Sequence, residues 1–117
     1  MSISYKAKIL IIDDDPDINN LFKIFLEHND FQVDAYTNPI DALKNFRKNI
    51  HDLIILDLKM PKMDGITLYQ KIKEIDDKVI ICLTTTDKSF IQGLQKGKVD
   101  IEKIVIDKSI LLKELKN

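Results

Sequence analysis

The sequence is poor in the features that mark secreted, membrane and nucleic-acid-binding proteins. Its single cysteine, Cys82, excludes an intrachain disulfide, and its place in the apolar run Val79–Leu83 predicts a buried, unreactive thiol. No apolar run reaches the ~20 residues that a membrane helix needs, and residues 1–6 lack the apolar core of a signal peptide. Lysine and arginine number 18 against 19 acidic residues, a balance that does not favour nucleic acid or an anionic membrane. We therefore expect a cytoplasmic protein.

What the sequence does contain is typical of one globular domain. Hydrophobic residues make up 44% of the 117 residues and charged residues 32%. A chain of this length buries roughly two-thirds of its unfolded surface, which is enough for an independent core. No repeat, linker or low-complexity stretch interrupts it. The sequence therefore predicts a single domain over residues 1–117.

Short apolar runs alternate with stretches of helical periodicity along the whole chain. The predicted strands are Lys8–Ile12, Phe31–Tyr36, Leu53–Asp57, Val79–Leu83 and Lys103–Asp107. The predicted helical faces are Ile18, Leu21, Phe22, Phe25 and Leu26; then Ile40, Ala42, Leu43 and Phe46; then Ile66, Leu68, Tyr69 and Ile72; a weaker helix at Ser89–Lys96; and finally Ile110, Leu111, Leu112 and Leu115. The predicted caps are Asp15, Asn38 and Ser109. This alternation predicts a parallel sheet covered by helices.

The third predicted strand ends abruptly at a carboxylate. Asp57 follows four apolar residues, and the next segment holds Pro61 and the pair Asp64-Gly65, which are turn signals. An ionisable group at the carboxyl end of a buried strand points into the crevice where open α/β sheets bind ligands. Taken alone, Asp57 could equally well end the strand and face solvent.

A second acidic cluster, Asp13-Asp14-Asp15, follows the first strand. Asp15 is explained as a helix N-cap, but one cap needs one side chain, which leaves Asp13 and Asp14 unexplained. If the first and third strands are neighbours, ~4.8 Å apart, these carboxylates crowd Asp57. Like charges that close raise each other's proton affinity unless a cation relieves them, and carboxylate oxygens suit Mg²⁺.

Together these motifs resemble the receiver domain of two-component response regulators, over Lys8 to about Ser109. Asp13-Asp14 resembles the acid pair of that family, and Asp57, with Met60-Pro61 and Asp64-Gly65 behind it, resembles the phosphoacceptor and its loop. Thr84 resembles the hydroxyl residue and Lys108 the lysine that end the last two strands. The resemblance implies a flavodoxin-like, doubly wound sheet of five parallel strands in the order 2-1-3-4-5, with helices on both faces.

The resemblance also implies a function. Asp57 would accept a phosphoryl group from a sensor histidine kinase or a phosphotransfer protein, and the domain would then change conformation to control a downstream output protein or domain. It implies catalytic roles for Asp57, Thr84 and Lys108, and a Mg²⁺ ion, replaceable by Mn²⁺, at Asp14, Asp57, the carbonyl of Lys59 and, through water, Asp13. Such a domain is a signalling module that assists its own phosphorylation and dephosphorylation, not an enzyme. No direct contact with nucleic acid or a membrane is expected.

Three departures from the family pattern lie near the end of the chain. Val105 stands where an aromatic residue is common, Ser109 replaces the usual proline, and the connection from Gly97 to Lys108 is long. Because a cis bond before serine costs ~2.5–4 kcal/mol, we expect a trans bond between Lys108 and Ser109. These changes leave open an alternative, a receiver-like interaction module that is never phosphorylated.

Two further alternatives and the roles of three residues complete the sequence-based hypotheses. A phosphatase is disfavoured because Lys59 stands where a second acid is typical, and a flavin carrier because no Ser/Thr/Gly-rich loop follows the first strand. Lys59 could either cover the acyl phosphate and slow its hydrolysis or be an ordinary solvated lysine. His28 and His51 lack the spacing of metal ligands, and we expect no catalytic role for either.

Overall fold

A computed structural model of the chain describes residues 5–87, 105–109 and 113. The elements run in the order β1 (Lys8–Ile12), α1 (Pro16–His28), β2 (Gln32–Tyr36), α2 (Pro39–Asn45), β3 (Leu53–Asp57), α3 (Gly65–Ile75), β4 (Ile80–Thr85) and β5 (Val105–Asp107). The predicted helix at Ser89–Lys96, most of the Gly97–Lys108 connection and most of the last helix lie outside the described residues. Within those residues, no helix has the length and hydrophobicity to span a membrane.

The five strands form one parallel sheet in the order β2-β1-β3-β4-β5, which confirms the predicted fold. Leu56 of β3 lies opposite Ile12 of β1, and Asp57 lies opposite Thr84 of β4. The carboxyl ends of the three central strands therefore meet at one end of the sheet. In open α/β sheets this is where ligands bind.

The sheet is covered on both faces because successive side chains of each strand point to opposite sides. On one face α2 and α3 cover the larger cluster, which includes Leu10, Ile12, Ile54, Leu56, Leu68, Ile72, Ile81 and Leu83. On the other face α1 packs against a smaller cluster of Ile9, Ile11, Phe22 and Val33. Hydrophobic burial on both faces fixes the register of the central strands and hence the positions of their last residues.

Most helix starts lie where the sequence predicts them. The Asp15 carboxylate caps α1 by accepting the N–H of Asp17, and the Asn38 side chain caps α2. The prediction that Ser109 caps the last helix is wrong. Residues 108 and 109 are already helical, and the Asp107 carboxylate accepts the N–H of Ser109 at 3.0 Å, so Asp107 is the cap. The described chain has no cis peptide bond, which confirms the trans bond expected before Ser109.

Three side chains differ from their predicted burial. Phe25 is 41% exposed and Ile40 39%, although both were assigned to buried helix faces. On α1 the buried residues are Asn19 and Phe22, so the buried side of the helix includes a polar residue. Cys82 is half-buried rather than buried, but burial still raises the pKa of its thiol, which favours the unreactive form.

At the amino ends of the strands, a buried aspartate joins two loops. The carboxylate of Asp76 accepts main-chain N–H groups from Asn49 and Lys78 at 3.0 Å and from Val79 at 3.2 Å. Asn49 has a φ of 65°, a left-handed conformation that asparagine tolerates better than most residues. We call Asp76 and these three donors the amino-end network. It satisfies the buried N–H of Val79 and gives the part-buried N–H groups of the two loops a common acceptor.

Candidate functional site

The sheet brings three carboxylates together at its carboxyl end. One oxygen from each of Asp13, Asp14 and Asp57 lies within 4.8 Å of the other two. Asp13 and Asp57 are buried, whereas Asp14 is exposed at the mouth of the site. The convergence follows from the pairing of β1 with β3, since Asp57 ends β3 and Asp13 comes directly after β1.

The electrostatics of Asp57 reflect this crowding. Burial, followed by the negative charge of Asp13, raises the pKa of Asp57 from 3.8 to about 6. The charge of Lys108 and the main-chain N–H of Lys59, which lies 3.4 Å from Asp57 Oδ1, act in the opposite direction. The pKa of Asp57 therefore lies below neutral pH, in an environment that disfavours an additional negative charge unless a cation accompanies it.

Lys108 brings the one buried ammonium group that the described residues place at this site. Its Nζ lies 2.5 Å from Asp13 Oδ2 and 3.5 Å from Asp57 Oδ2, and its side chain is 7% exposed. Burial alone would lower the pKa of Lys108, but the hydrogen bond and charge of Asp13 and the charge of Asp57 raise it above its usual value. The ammonium group therefore stays protonated and compensates part of the acidic charge.

Thr84 lies beside Asp57 on the neighbouring strand and is 1% exposed. Its hydroxyl oxygen is 3.5 Å from the carbonyl oxygen of Leu56, which is long for an O–H···O hydrogen bond. The main-chain carbonyl of Thr84 accepts the N–H of Leu58 at 2.9 Å, so the backbone is held while the hydroxyl is weakly engaged. A hydroxyl in that state can reorient toward a ligand oxygen at little cost.

Lys59 has a partner that the sequence did not suggest. Its ammonium group forms an ion pair with the carboxylate of Asp87, across the opening between the β3–α3 loop and the segment after β4. The Lys59 side chain is 63% exposed, so solvent screens the pair. Lys59 is therefore exposed, as an ordinary solvated lysine would be, but its ammonium group is oriented toward Asp87.

Gly65 allows α3 to approach the end of β3. A Cβ atom at this position would lie 2.6 Å from the Asp57 carbonyl oxygen and 2.6 Å from Leu58 Cα. Backbone atoms cannot move aside as a side chain can, so only glycine fits without a shift of α3. The sequence marks Gly65 as a turn residue, whereas the structure shows a steric requirement next to Asp57.

The residues at this end of the sheet fit a hard divalent cation. Three convergent carboxylate oxygens are the ligand type that Mg²⁺ prefers, and their charge exceeds that of the single Lys108 ammonium group beside them. A cleft of about 470 Å³ opens beside Asp14 and leads to solvent. It is lined by Asp14, Thr37, Asn38, Pro39, Asp41, Pro61 and Lys62.

The structure thus brings together the predicted side chains of Asp13, Asp14, Asp57, Thr84 and Lys108, while their chemical roles stay predictions. Sequence reasoning missed Asn19, which donates to the Asp13 carbonyl, and Asp87. Asn19 could have been found, because it shares the helical stripe of Phe22, but nothing in the sequence pairs Asp87 with Lys59. His51, for which no catalytic role was expected, precedes β3 at the end opposite Asp57.

Comparison with known proteins agrees with this geometry. The family described as "Response regulator receiver domain" matches residues 9–117. The chain is 33% identical over 102 residues to the transcriptional regulatory protein ResD of Bacillus subtilis, covering 86% of this chain and 42% of ResD. It is 34% identical over 95 residues to SrrA of Staphylococcus aureus, covering 80% of this chain and 39% of SrrA. The chain therefore spans about two-fifths of the length of these relatives.

Solved structures give the same answer. The response regulator TrrA of Thermotoga maritima, crystallised in complex with Mg²⁺-BeF, superposes with a TM-score of 0.72 at 29% identity, covering 93% of this chain and 92% of that one. The non-phosphorylated receiver domain of HemR from Leptospira biflexa gives a TM-score of 0.74 at 26% identity, with 93% and 87% covered. A chain from the complex of histidine kinase ThkA with TrrA gives 0.69 at 25% identity, with 94% and 98% covered. The chain belongs to the response regulator receiver domain family, the signalling domains of two-component systems, which are not generally classed as enzymes.

Proposed function

We propose that this domain takes a phosphoryl group onto Asp57 from the phosphohistidine of a sensor histidine kinase or a phosphotransfer protein. The observation that carries the proposal is the convergence of Asp57 with Asp13, Asp14 and Lys108. The choice of donor is supported by the complex of TrrA with the histidine kinase ThkA.

In the proposed reaction a carboxylate oxygen of Asp57 attacks phosphorus. A P–O bond forms while the P–N bond of the phosphohistidine breaks, and the imidazole nitrogen keeps the electron pair and takes up a proton from water. With a pKa of about 6, Asp57 is mostly in the nucleophilic carboxylate form at pH 7. Water later cleaves the acyl phosphate and releases inorganic phosphate, so the domain assists both its own phosphorylation and its own dephosphorylation.

Two side chains near Asp57 would each contact one of the three phosphoryl oxygens. Lys108 can turn from Asp13 toward one oxygen, since its ammonium group already lies 3.5 Å from Asp57. The hydroxyl of Thr84 can leave its long contact with Leu56 and donate to a second oxygen. Charge compensation and positioning are the main catalytic requirements of phosphoryl transfer, so these two groups account for much of what the protein must supply.

A divalent cation is the remaining part of the proposal. Asp14 and Asp57 would hold Mg²⁺ directly, Asp13 would act through water, and the carbonyl of Lys59 would complete the protein ligands; Mn²⁺ could substitute. When bound, the ion supplies positive charge to one phosphoryl oxygen. The TrrA complex with Mg²⁺-BeF supports this assignment.

The wider role is proposed on the same basis. Phosphorylation would change the position of Thr84 and its following segment, and so control a downstream output protein or domain. ResD and SrrA are transcriptional regulatory proteins, and this chain matches only part of each. We place no nucleic-acid or membrane contact on this domain itself, because its charge is balanced, and we propose a cytoplasmic location. Residues 1–117 would act as one domain.

The proposal is tested by intact-mass measurement after treatment with acetyl phosphate, a small-molecule phosphodonor. We expect one added phosphoryl group on the wild type with Mg²⁺ or Mn²⁺, none with a chelator, and none on Asp57→Ala. Asp41→Ala removes an exposed carboxylate that borders the cleft and serves as the matched control. An equal mass gain in wild type and Asp57→Ala would contradict the assignment of Asp57. A wild type that gains no mass with metal present would favour the alternative, an interaction module that is never phosphorylated.

A further inference from the structure

Asn19 is a buried polar residue in the interior of α1. It is 5% exposed and lies one turn after the start of the helix, on the side that faces the sheet. Its Nδ2 donates to two main-chain carbonyls, those of Asp13 and Tyr36, each at 2.9 Å. Because both partners are acceptors, they fix which way the carboxamide points.

The position carries an energetic cost. The Oδ1 atom of Asn19 is buried with no hydrogen-bond partner among the described residues. Burying a polar side chain costs free energy that an apolar one does not, and asparagine is a poor residue for a helix interior. An apolar side chain in the same stripe as Phe22 would avoid both costs. The two hydrogen bonds of Nδ2 therefore serve something that simple packing of α1 would not supply.

What they hold is the backbone just beyond the β1–β2 ladder. The regular pairing ends at Ile12 and Tyr36, and the N–H of Asp13 donates to the Tyr36 carbonyl at 3.2 Å. Asn19 bridges that same carbonyl and the carbonyl of Asp13, so its side chain extends the ladder by one residue. The main chain of Asp13 is thereby fixed from both sides.

The side chain of Asp13 depends on that fixed backbone. Its Oδ1 accepts the N–H of Asp15 at 3.0 Å, and its Oδ2 lies 2.5 Å from the ammonium group of Lys108. The same carboxylate is part of the cluster with Asp14 and Asp57. A small shift of the Asp13 backbone would move both the carboxylate and its lysine partner.

We propose that Asn19 is a positioning residue for the carboxylate cluster: through the Asp13 main chain, it sets the geometry that binds the divalent cation and receives the phosphoryl group. The part of this proposal that concerns the phosphoryl group rests on the proposed function. The part that concerns the cation rests on the carboxylate cluster alone. Residues that orient metal ligands typically change metal affinity or activity by 10–100-fold when they are replaced. Since Asp13 is one of three carboxylates, we expect the lower end of that range.

The test measures Mn²⁺ affinity directly, from the EPR signal of the free ion, in the absence of any phosphodonor. The variants are Asn19→Leu, which removes both donors at similar size, and Asn19→Asp, which keeps the shape. Asn20→Leu and Asn20→Asp, at the exposed neighbouring position, are the matched controls. We expect Kd for Mn²⁺ to rise about tenfold in both Asn19 variants and to stay within twofold of wild type in both controls.

The rate of phosphorylation by acetyl phosphate at saturating Mg²⁺ is the second readout, with folding of every variant checked by circular dichroism and urea unfolding. A folded Asn19→Leu protein with wild-type Kd and wild-type rate would overturn the proposal, since a purely structural role lowers only stability. If Asn19→Leu does not fold, Asn19→Asp decides on the same two criteria. Failure of the proposed function is recognised separately, because it leaves wild type itself unphosphorylated while the Mn²⁺ comparison can still be made.

Discussion

The two ends of the sheet bury the same type of side chain in opposite circumstances. At the amino end, Asp76 is 2% exposed and is surrounded by donors, the N–H groups of Asn49, Lys78 and Val79. At the carboxyl end, Asp57 is 6% exposed and faces two other carboxylates. The hydrogen bond from Asn49, and then those from the other donors, lower the pKa of Asp76, whereas burial and Asp13 raise the pKa of Asp57.

The difference separates structure from function. The amino-end network is complete without any added group, so its carboxylate stabilises the fold. The carboxyl-end cluster has three carboxylates and one ammonium group, so a bound cation would relieve its excess negative charge. Burial of an aspartate is therefore not informative by itself. The groups that surround it decide whether it is a structural residue or a site residue.

The largest expected effect is steric and concerns the carboxyl end. Replacing Gly65 with alanine places Cβ 2.6 Å from backbone atoms of β3, so α3 must move away from the site. We expect a loss of about 2–3 kcal/mol in the free energy of unfolding by urea, at the upper end of overpacking costs, together with slower phosphorylation. Gln70→Ala, at an exposed position of the same helix, should change neither. A Gly65→Ala variant as stable as wild type would mean that α3 can move freely.

The next effect breaks the amino-end network. In Asp76→Asn, an amide NH₂ replaces one carboxylate oxygen and opposes a backbone donor, so we expect Tm to fall by several degrees at pH 7. Because the pKa of Asp76 is lowered in the folded state, its stabilisation is present above the usual value of 3.8 and is lost as pH falls through the folded-state pKa. The difference in Tm between wild type and Asp76→Asn should therefore become smaller below about pH 4. Asp77→Asn, at the exposed neighbouring position, is the control. If Asp76→Asn has the same Tm as wild type, Asp76 does not stabilise the fold.

An aspartate-to-asparagine substitution at the carboxyl end of the sheet should stabilise the fold rather than destabilise it. The pKa of Asp57 is raised in the folded state, so its charge destabilises the fold increasingly as pH rises from 3.8 to about 6. Asp57→Asn should therefore increase the free energy of unfolding at pH 7 in a chelator, by about 1–2 kcal/mol. The gain should disappear near pH 4 and shrink when Mg²⁺ is added. Destabilisation by Asp57→Asn under these conditions would contradict the comparison.

The smallest expected effect concerns Lys59 and Asp87. An exposed ion pair contributes less than ~1 kcal/mol, so Lys59→Ala should hardly change stability. We expect it to shorten the lifetime of the aspartyl phosphate severalfold, because the long cationic side chain would no longer hinder attacking water. The loop lysine Lys62, replaced in the same way, is the control. An unchanged or longer lifetime in Lys59→Ala is the result that rules out shielding.

Local signals made most of the fold predictable. Apolar runs marked the strands, and an acid or amide before proline marked the starts of α1 and α2. Five of the site side chains were predictable because parallel strands necessarily place their last residues at one end of the sheet. The sequence does not show which of the neighbours Asp76 and Asp77 is the structural residue, however. The path of another loop decides which carboxylate accepts the N–H of Asn49. The Lys59–Asp87 pair was missed for a similar reason, because it joins two segments that are 28 residues apart. The close approach of Gly65 to Asp57 was missed because it depends on how α3 packs against the end of β3.

The edge strand β2 bears on whether the domain can associate with a second copy through its sheet. β2 lies at one edge of the sheet, and exposed edge strands are templates on which a second molecule can add a strand. Asp34 is the central residue of its five, and its carboxylate lies 2.8 Å from His51 Nε2 and 3.7 Å from Lys8 Nζ. An antiparallel pairing of two β2 strands about their centres would place one Asp34 opposite the other, and like charges in that position destabilise the pair. We therefore expect Asp34 to disfavour this mode of self-association, to the extent that Lys8 leaves its charge uncompensated.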